Sequence, residues 1–375
     1  MPEGLKILYV FNGKMRSGAM GLDLVAHQQV LALADAGHHV TLVSRGKIRH
    51  PNVQNVSLRW TPANLLSFLP ARYYYSLQSR FFSFLGGWLA SNGSFDAIVG
   101  WETSSLRLFC HSQKQGSTRF LNAPGRLSAD EVADAKLERK PWPVVDAVYR
   151  HGEYERADFI LVASESARNS FCQNGFNDSK LFTLPRGADL NRFRSIPREN
   201  GPFRAVFFGR LNDRKGILQA LDVWRAAKLE NAEFWLIGAA EKDLWPEIEA
   251  RLDASITVFG HRNDAESLLT LCHVQILPTA SEGMAKTLLE GAACGCVTLA
   301  TRESGFPLVD GVNGFWIQRD DILGTASHLN RLRGNRALWE TMSAASAQLI
   351  AENFTWSAFR NRFVEAVHSG CKSQR

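Results

Sequence analysis

The sequence predicts an α/β protein of two domains. At 375 residues the chain is long enough for two domains that each bury a core. Short apolar runs alternate with helical segments, the pattern of parallel strands connected by helices. Residues 194–202, rich in proline and charge, interrupt this pattern, which then restarts. We therefore expect one domain over 1–195, a second over 203–350, and a C-terminal helix at 355–375 that packs back on the first.

Composition points to a cytoplasmic globular protein. Hydrophobic residues make up 45% of the chain and charged residues 21%, which is ordinary for such proteins. No apolar run approaches the roughly 20 residues that a membrane-spanning helix needs, and the N-terminus leads directly into a strand without a signal peptide. The cysteines lack metal-type spacing and sit mostly in apolar segments, which favours reduced, buried thiols.

Charge is unevenly distributed along the chain. Residues 1–128 contain 13 Lys and Arg against 5 Asp and Glu, whereas the remainder contains 30 against 32. A basic first half favours an anionic partner for that half. We find no motif that reads DNA or RNA, so we expect no nucleic-acid partner.

The first elements form a βαβ unit. A strand is expected at 6–11, a helix at 22–36 and a second strand at 38–43, with a glycine-rich loop at 12–21. The glycine spacing is not that of the dinucleotide-binding fingerprint, and no acidic residue ends the second strand. The glycines of this loop either bind a ligand or serve only to let the backbone turn.

Residues 62–90 are rich in aromatic side chains, carry Arg72 and Arg80, and contain no acidic residue. Such a segment can lie in a bilayer interface, with aromatic rings at the acyl boundary and arginines on lipid phosphates. An ordinary helix pair that buries its aromatic rings explains the pattern equally well.

Polar residues follow two predicted strands of the first half, at 95–100 and 119–123. Ligands of open parallel sheets bind beyond the carboxyl ends of the strands. Position alone therefore makes Glu102, Asn122 and Arg126 candidates. Further strands are expected at 159–163, 181–184, 205–208, 233–237 and 256–259, with charged helical sequence at 128–156 and helices at 217–229, near 242–252, at 264–271 and from about 321.

The chain is organised around residues 274–298, a strand, a loop, a helix from about 284 to 293, and a strand. Glu282 stands where the helix begins, and Glu290 lies about two turns further on. The amides of Gly283, Met284, Ala285 and Lys286 can face phosphate or sugar oxygens at the helix N-terminus. Alternatively, Glu282 only complements the helix dipole and Glu290 pairs with Lys286.

Residues 205–318 resemble the donor-binding domain of the retaining glycosyltransferases of family four. Individually the motifs are weak, but their order and spacing are specific. The segments that carry the resemblance are GRLNDRKG at 209–216, FGHRND at 259–264, SEGMAKTLLEGAACG at 281–295 and DGVNGF at 310–315, with ERADFILVASES at 155–166 and LPRGADLNRF at 184–193 in the first half.

The resemblance implies the GT-B fold, with two Rossmann-like domains facing across a cleft. It also implies roles in catalysis for three residues, Glu282, Arg210 and Lys215. The two cations would hold the diphosphate of a nucleotide-sugar donor, and Glu282 would hold hydroxyls of its sugar. Donor-binding residues would further include Gly18, Gly21, His261, Arg262, Gly283, Met284, Ala285, Lys286 and Glu290, with Glu290 on the ribose and the 259–264 turn against the base.

The first half departs from the family pattern. Many members carry a histidine where this chain has residues 121–125, and Asn122 or Arg126 would have to serve instead. Glu102, Asn122 and Arg126 therefore remain acceptor-side candidates. No Asp-x-Asp stands at a strand end, so we expect neither a metal nor another cofactor besides the donor.

These observations predict a retaining, metal-independent glycosyltransferase. Its acceptor would be a lipid-linked or membrane-anchored glycan of bacterial surface polysaccharide or lipopolysaccharide assembly, and the protein would lie on the inner face of the cytoplasmic membrane. The alternatives are a nucleotide-sugar epimerase or a phosphorylase on the same fold, and a non-catalytic membrane-associated module.

Overall fold

Two parallel β-sheets, each flanked by helices, form the chain. The computed structural model describes residues 4–15, 21–58, 60–68, 71–112, 116–127, 144–198 and 201–374. Within these residues the strands of the first sheet are arranged in the order β3-β2-β1-β4-β5-β6-β7, and those of the second in the order β10-β9-β8-β11-β12-β13. We call the parts built on these sheets the first and the second domain.

The first domain alternates strands and helices, as the sequence predicts. Its strands are β1 (Lys6–Val10), β2 (His39–Ser44), β3 (Val53–Ser57), β4 (Ala97–Trp101), β5 (Thr118–Ala123), β6 (Phe159–Val162) and β7 (Leu181–Thr183). Its helices are α1 (Gly21–Asp35), α2 (Ala71–Asn92), α3 (Leu106–Ser112), α4 (Val144–Arg156) and α5 (Glu165–Gln173).

The second domain repeats the alternation. Its strands are β8 (Phe203–Phe208), β9 (Ala232–Ile237), β10 (Ile256–Gly260), β11 (Val274–Leu277), β12 (Val297–Ala300) and β13 (Gly314–Trp316). Its helices are α6 (Ile217–Ala227), α7 (Trp245–Glu249), α8 (Ala265–Leu269), α9 (Lys286–Ala293), α10 (Ile322–Gly334) and α11 (Arg336–Asn353), and the chain ends in α12 (Trp356–Ser373).

Helix α6 shows why these segments fold as they do. Its buried side chains recur at helical spacing, so that one face packs on the second sheet. Gly216 precedes the helix at φ +78°, and an added Cβ there would meet the carbonyl oxygen of Pro278 at 2.2 Å. Glycine is therefore required where the loop after β8 passes the end of β11.

The C-terminal helix α12 packs on the first domain. Phe359 and Phe363 are fully buried in the same apolar cluster as Ile7 and Tyr9 of β1. Arg360 donates to Gln28 and forms a 3.2 Å ion pair with Asp35, both on α1. The chain therefore crosses from the second domain back to the first.

Two elements of the first domain are absent from the sequence prediction. Strand β3 lies at the sheet edge and has only one fully buried residue, Val53, so it lacks a marked apolar pattern. Helix α3 has only seven residues, too few for a clear periodicity. The predicted helical sequence at 128–143 lies outside the described residues, whereas 144–156 is helical.

No helix among the described ranges is both long enough and apolar enough to cross a bilayer.

Candidate functional site: a carboxylate–cation cluster in the second domain

The cluster is built at the carboxyl ends of two adjacent strands. Strands β8 and β11 pair in parallel, so the loops that follow them leave the same edge of the sheet. The first loop supplies Arg214 and Lys215, and the second supplies Glu282. Glu282 Oε1 lies 3.0 Å from Lys215 Nζ and 3.0 Å from Arg214 Nη1.

Electrostatics keep Glu282 ionised. Burial alone would raise the pKa of this carboxyl, but the charges of Lys215 and then Arg214 outweigh burial, and the net pKa is lowered. A largely enclosed carboxylate that two cations hold in place is a negative charge at a fixed position. Sequence reasoning selected Glu282 and Lys215 but did not single out Arg214.

The loop after β8 is held in shape by contacts from elsewhere in the chain. Arg319 donates to the backbone oxygens of Asp213 and Arg214, at 2.6 and 3.1 Å. Gly209 has φ +141°, and a Cβ there would lie 3.3 Å from Lys215 Nζ. The ammonium group of Lys215 thus lies between Gly209 and Glu282.

Arg210, the predicted partner of Lys215, is exposed. The two predicted diphosphate ligands therefore differ in their surroundings. The ammonium group of Lys215 is half-buried and paired with Glu282, whereas the guanidinium group of Arg210 reaches solvent.

Glu290 is on helix α9 and is only 5% exposed. Its Oε1 accepts a 2.5 Å hydrogen bond from Lys286 Nζ, one turn earlier. The alternative that the sequence left open, an i, i+4 pair, is thus present in the structure. Glu290 has a second carboxylate oxygen, so this pair does not prevent it from accepting a ligand hydroxyl.

The loop at 282–285 contacts the first domain. An added Cβ on Gly283 would lie 2.0 Å from the carbonyl oxygen of Pro124, and the carbonyl oxygen of Gly283 accepts a 2.5 Å hydrogen bond from Ser164 Oγ. The backbone N–H of Ala285 donates to Ser304. One of the four predicted amide donors is therefore committed to the fold, and Met284 Sδ accepts from the backbone N–H of Arg186.

The predicted base-binding turn follows β10. His261 and Arg262 are exposed, and the guanidinium group of Arg262 makes a bidentate pair with Asp264, at 2.8 and 2.7 Å. These contacts fix the turn and leave its backbone on the surface.

Of the two glycines predicted in the first loop, Gly18 lies outside the described residues. Gly21 begins helix α1 with φ +60°, and the space around its Cβ position is open to 4 Å.

Arg186 is a buried cation that the sequence prediction missed. It is 8% exposed, and its side chain forms no hydrogen bond or ion pair with the other described residues. Burial lowers the pKa of Arg186 to about 10, and the Glu282 carboxylate opposes the shift. The LPRGADLNRF segment was recognised as a motif, but nothing in its sequence indicates that Arg186 is buried near Glu282.

Asn122 is committed to the interior of the first domain. It is 4% exposed, its Oδ1 accepts from Gln29 Nε2 at 2.7 Å, and its Nδ2 donates to the carbonyl oxygen of Gly100 at 3.2 Å. Gln29 in turn accepts from Tyr9 Oη at 2.6 Å, and Tyr9 accepts from Trp101 Nε1. This network orients strand ends, and it uses one lone pair of Asn122 Oδ1 and one N–H of its Nδ2.

Glu102 also has a partner inside the first domain, since its Oε1 accepts from Tyr154 Oη at 2.6 Å. The adjacent Glu153 is fully buried and accepts from the amides of Thr103, Ser105 and Leu106. Burial raises the pKa of Glu153 to about 8 although these amides oppose the shift. The two carboxyl groups therefore stabilise the turn between β4 and α3, where Thr103 has φ +69°.

Arg126 is the acceptor-side candidate that faces open space. It approaches Glu303 of the second domain, with 3.6 Å between Nη1 and Oε1. It also lines a cavity of about 490 Å³ between the domains, together with Ser164, Met284 and Trp316. A ligand held here would touch both domains.

Among the described residues, no group of three or more His, Cys, Asp or Glu side chains is placed to hold a metal ion.

Sequence comparison finds a family similar to the second domain. Residues 202–335 match the model of the family described as glycosyl transferases group 1. The chain is 24% identical over 234 residues to the putative colanic acid biosynthesis glycosyltransferase WcaL of Salmonella typhimurium. This match covers 58% of each of the two chains. It is 25% identical over 195 residues to the lipopolysaccharide core biosynthesis glycosyltransferase LpsD of Rhizobium meliloti, which covers 50% of this chain and 56% of the relative. The matches thus span little more than half of these relatives.

Solved structures show the fold. Sucrose-phosphate synthase from Thermosynechococcus elongatus superposes with a TM-score of 0.78 at 16% identity, covering 98% of this chain and all of that one. Anabaena HepE, solved in complex with UDP, superposes with a TM-score of 0.72 at 15% identity over 97% of this chain and 100% of its own. The chain therefore has the GT-B fold, and its residues 202–335 are similar to the glycosyl transferases group 1 family.

Proposed function

We propose that the protein is a glycosyltransferase that moves a sugar from a nucleotide-diphosphate sugar to an acceptor, with retention of configuration and without a metal. The observation that carries this proposal is Glu282, held by Lys215 and Arg214 where two loops of the second domain meet. The activity of the whole chain is part of the proposal, because the matched relatives are covered only in part.

The charge of the cluster suits a diphosphate. Lys215, Arg214 and the buried Arg186 carry three positive charges against the single carboxylate of Glu282. Arg210 adds a further, exposed cation to the same loop. A nucleoside diphosphate leaving group gains negative charge as its bond to the sugar breaks, and fixed cations stabilise that charge without reorganising.

Glu282 is fixed too firmly by its cations to act as a mobile base, and it suits hydrogen bonding to sugar hydroxyls. Glu290 would accept from the ribose with the carboxylate oxygen that Lys286 does not occupy. We find no candidate nucleophile in this cluster, which supports front-face displacement as the route to retention.

Two kinds of similarity support the substrates. HepE, which shares the fold, was solved with UDP bound, which supports a nucleotide-sugar donor. The names of two relatives refer to colanic acid and to lipopolysaccharide core, which supports an acceptor in bacterial surface polysaccharide assembly. We propose a lipid-linked or membrane-anchored glycan as that acceptor.

The proposal is tested by incubating the protein with a panel of nucleotide sugars, with and without lipid-linked glycan acceptors, and analysing every product. Acceptor-dependent release of nucleoside diphosphate together with a lengthened glycan is the expected result. An isomerised nucleotide sugar would identify an epimerase, and a sugar phosphate formed from phosphate would identify a phosphorylase. Absence of turnover across the panel would support a non-catalytic module.

We also propose that the first domain docks on an anionic membrane through the 60–88 surface, which we define as Trp60, Leu65, Phe68, Tyr73, Phe84 and Trp88. On α2, the rings of Tyr73, Phe84 and Trp88 are 42–56% exposed and lie within about 60° of one another around the helix. Leu65 and Phe68, just before the helix, are 70% and 77% exposed. Several large apolar side chains exposed so near one another in the chain are unusual for a face that remains in water.

Vesicle binding tests this docking. The protein is expected to sediment with vesicles that contain an anionic phospholipid, less so at higher salt, because salt screens charge attraction between exposed groups. The double variant Phe84→Ser/Trp88→Ser should lose most of this binding. Leu323→Ser is the matched control, since Leu323 is 75% exposed but belongs to the second domain. Equal loss in both variants, or no binding by the wild type, would contradict the proposed surface.

A chelator tests metal independence. Because the cations proposed to hold the diphosphate are side chains, transfer should persist in EDTA at a rate within about twofold of the untreated enzyme. The measurement is the initial rate of nucleoside diphosphate release before and after treatment. Complete loss of activity that magnesium or manganese restores would show that a metal takes part.

A further inference from the structure

A second cationic cavity lies at the amino ends of the second sheet. Its volume is about 130 Å³, and it is lined by Arg198, Phe203, His273, Arg333, Arg336 and Trp339, with Gly201. Phe203 begins β8 and His273 immediately precedes β11. The cluster around Glu282 follows the opposite ends of these two strands, so the strands separate the two sites.

Aromatic rings and backbone contacts hold the floor of this cavity. Trp339 Nε1 donates to the carbonyl oxygen of His273 at 3.0 Å, and the two rings lie 4.8 Å apart. The guanidinium carbon of Arg198 lies 5.2 Å from the centre of the Trp339 ring. Arg198 Nη2 donates to the carbonyl oxygen of Cys294 at 2.8 Å. Arg198 is thus positioned by stacking on Trp339 and by hydrogen bonding.

Two arginines of the cavity have donors that are not used by the described residues. Arg198 Nε is buried without a hydrogen-bond partner among the described residues. Arg333 is exposed and forms no ion pair with them, whereas Arg336 pairs with Glu340 at 2.8 Å. Three guanidinium groups therefore line the cavity.

The imidazole does not add to this charge. Burial, followed by the charges of Arg198, Arg204, Arg333 and Arg336, lowers the pKa of His273 to about 4. His273 is therefore neutral at pH 7, and its Nδ1 accepts from the backbone N–H of Arg204 at 3.1 Å. The direction of this shift reflects the positive field of the arginines.

We propose that this cavity binds a phosphate group, free or as a phosphate monoester. Guanidinium groups present paired N–H donors that match phosphate oxygens, and converging arginines are the usual way to hold a dianion without a metal. The volume is ample for a tetrahedral anion with some of its water. Because Arg198 and Gly201 belong to the segment between the domains, a bound phosphate would tie that segment to α10 and α11.

Calorimetric titration with inorganic phosphate and with glycerol phosphate tests the proposal. The Arg210→Ala/Lys215→Ala protein is used, so that binding in the proposed donor site does not contribute. Saturable binding is expected, and adding Arg333→Ala and Arg336→Ala should weaken it by at least about tenfold, because charge-assisted hydrogen bonds are lost. Arg331→Ala is the matched control. Arg331 lies on α10 with Arg333, but it stacks on Phe315 and does not line the cavity.

The charge-retaining variant Arg333→Lys/Arg336→Lys should keep part of the affinity, which separates loss of charge from loss of structure. Vesicles that contain phosphatidic acid distinguish the sources of the phosphate. Binding of vesicles that requires Arg333 and Arg336, without binding of free phosphate, would assign the site to a lipid headgroup. Absence of binding to every probe, or binding that Arg333→Ala/Arg336→Ala leaves unchanged, would overturn the proposal.

Discussion

Lys215→Ala is expected to lower kcat/KM for sugar transfer by about 10²-fold or more, the scale observed when one transition-state donor is removed. Lys215 Nζ is a half-buried cation, and its contact with Glu282 fixes its position. The fold should persist, because Arg214 still pairs with Glu282. The measurement is steady-state kinetics of nucleoside diphosphate release, with circular dichroism to confirm folding.

Two further variants sharpen this result. Arg210→Ala removes the exposed cation of the same loop and should also lower the rate, since both cations are proposed to contact the diphosphate. Arg225→Ala, on the exposed face of α6, is the matched control and should be within about twofold of the wild type, because surface charges far from a ligand contribute little. Transfer at a near-normal rate in both Lys215→Ala and Arg210→Ala would refute the assignment of this loop.

Glu282→Gln and Glu290→Gln are expected to affect different kinetic constants. Glu282 is proposed to hold the sugar, whose shape and charge change as the bond breaks, so its loss should lower kcat by about 10²-fold. Glu290 is proposed to hold the ribose, which does not react, so its loss should mainly raise KM. Glu290→Gln should also weaken calorimetric binding of the free nucleoside diphosphate, whereas Glu282→Gln should leave that binding nearly unchanged.

The same pair of variants can contradict the account. Identical behaviour in both assays would show that the division of roles is wrong. Normal kinetics in both would return Glu290 to its i, i+4 pair with Lys286 and Glu282 to a structural ion pair with Lys215 and Arg214.

Apolar periodicity was sufficient to predict the alternation of strands and helices, because each buried strand and each helix such as α6 carries its pattern in consecutive residues. Strand β3 was missed because its sequence is of mixed polarity and its pairing with β2 is a long-range property. No local pattern within residues 355–375 specifies the position of α12 on the first domain, because its partners on β1 and α1 lie at the other end of the chain.

Residue types and motif spacing selected Glu282 and Lys215, but the contact that joins them is made between loops far apart in the chain. For that reason Arg214 was overlooked beside Lys215, and the burial of Arg186 had no signal in its neighbours. Asn122 shows the same limit in the first domain. Its position at a strand end predicts ligand binding, but its hydrogen bond from Gln29 of helix α1 has no signal in the neighbouring sequence.

The most direct test of the central claim is a crystal structure of the protein with a nucleoside diphosphate, chosen as the one whose sugar derivative supports turnover. The account predicts diphosphate oxygens within ion-pair distance of Lys215 Nζ and Arg210, and ribose hydroxyls on Glu290. A nucleotide bound elsewhere, for example along the 12–21 loop with its diphosphate far from Lys215, would contradict the claim that the Glu282 cluster is the donor site.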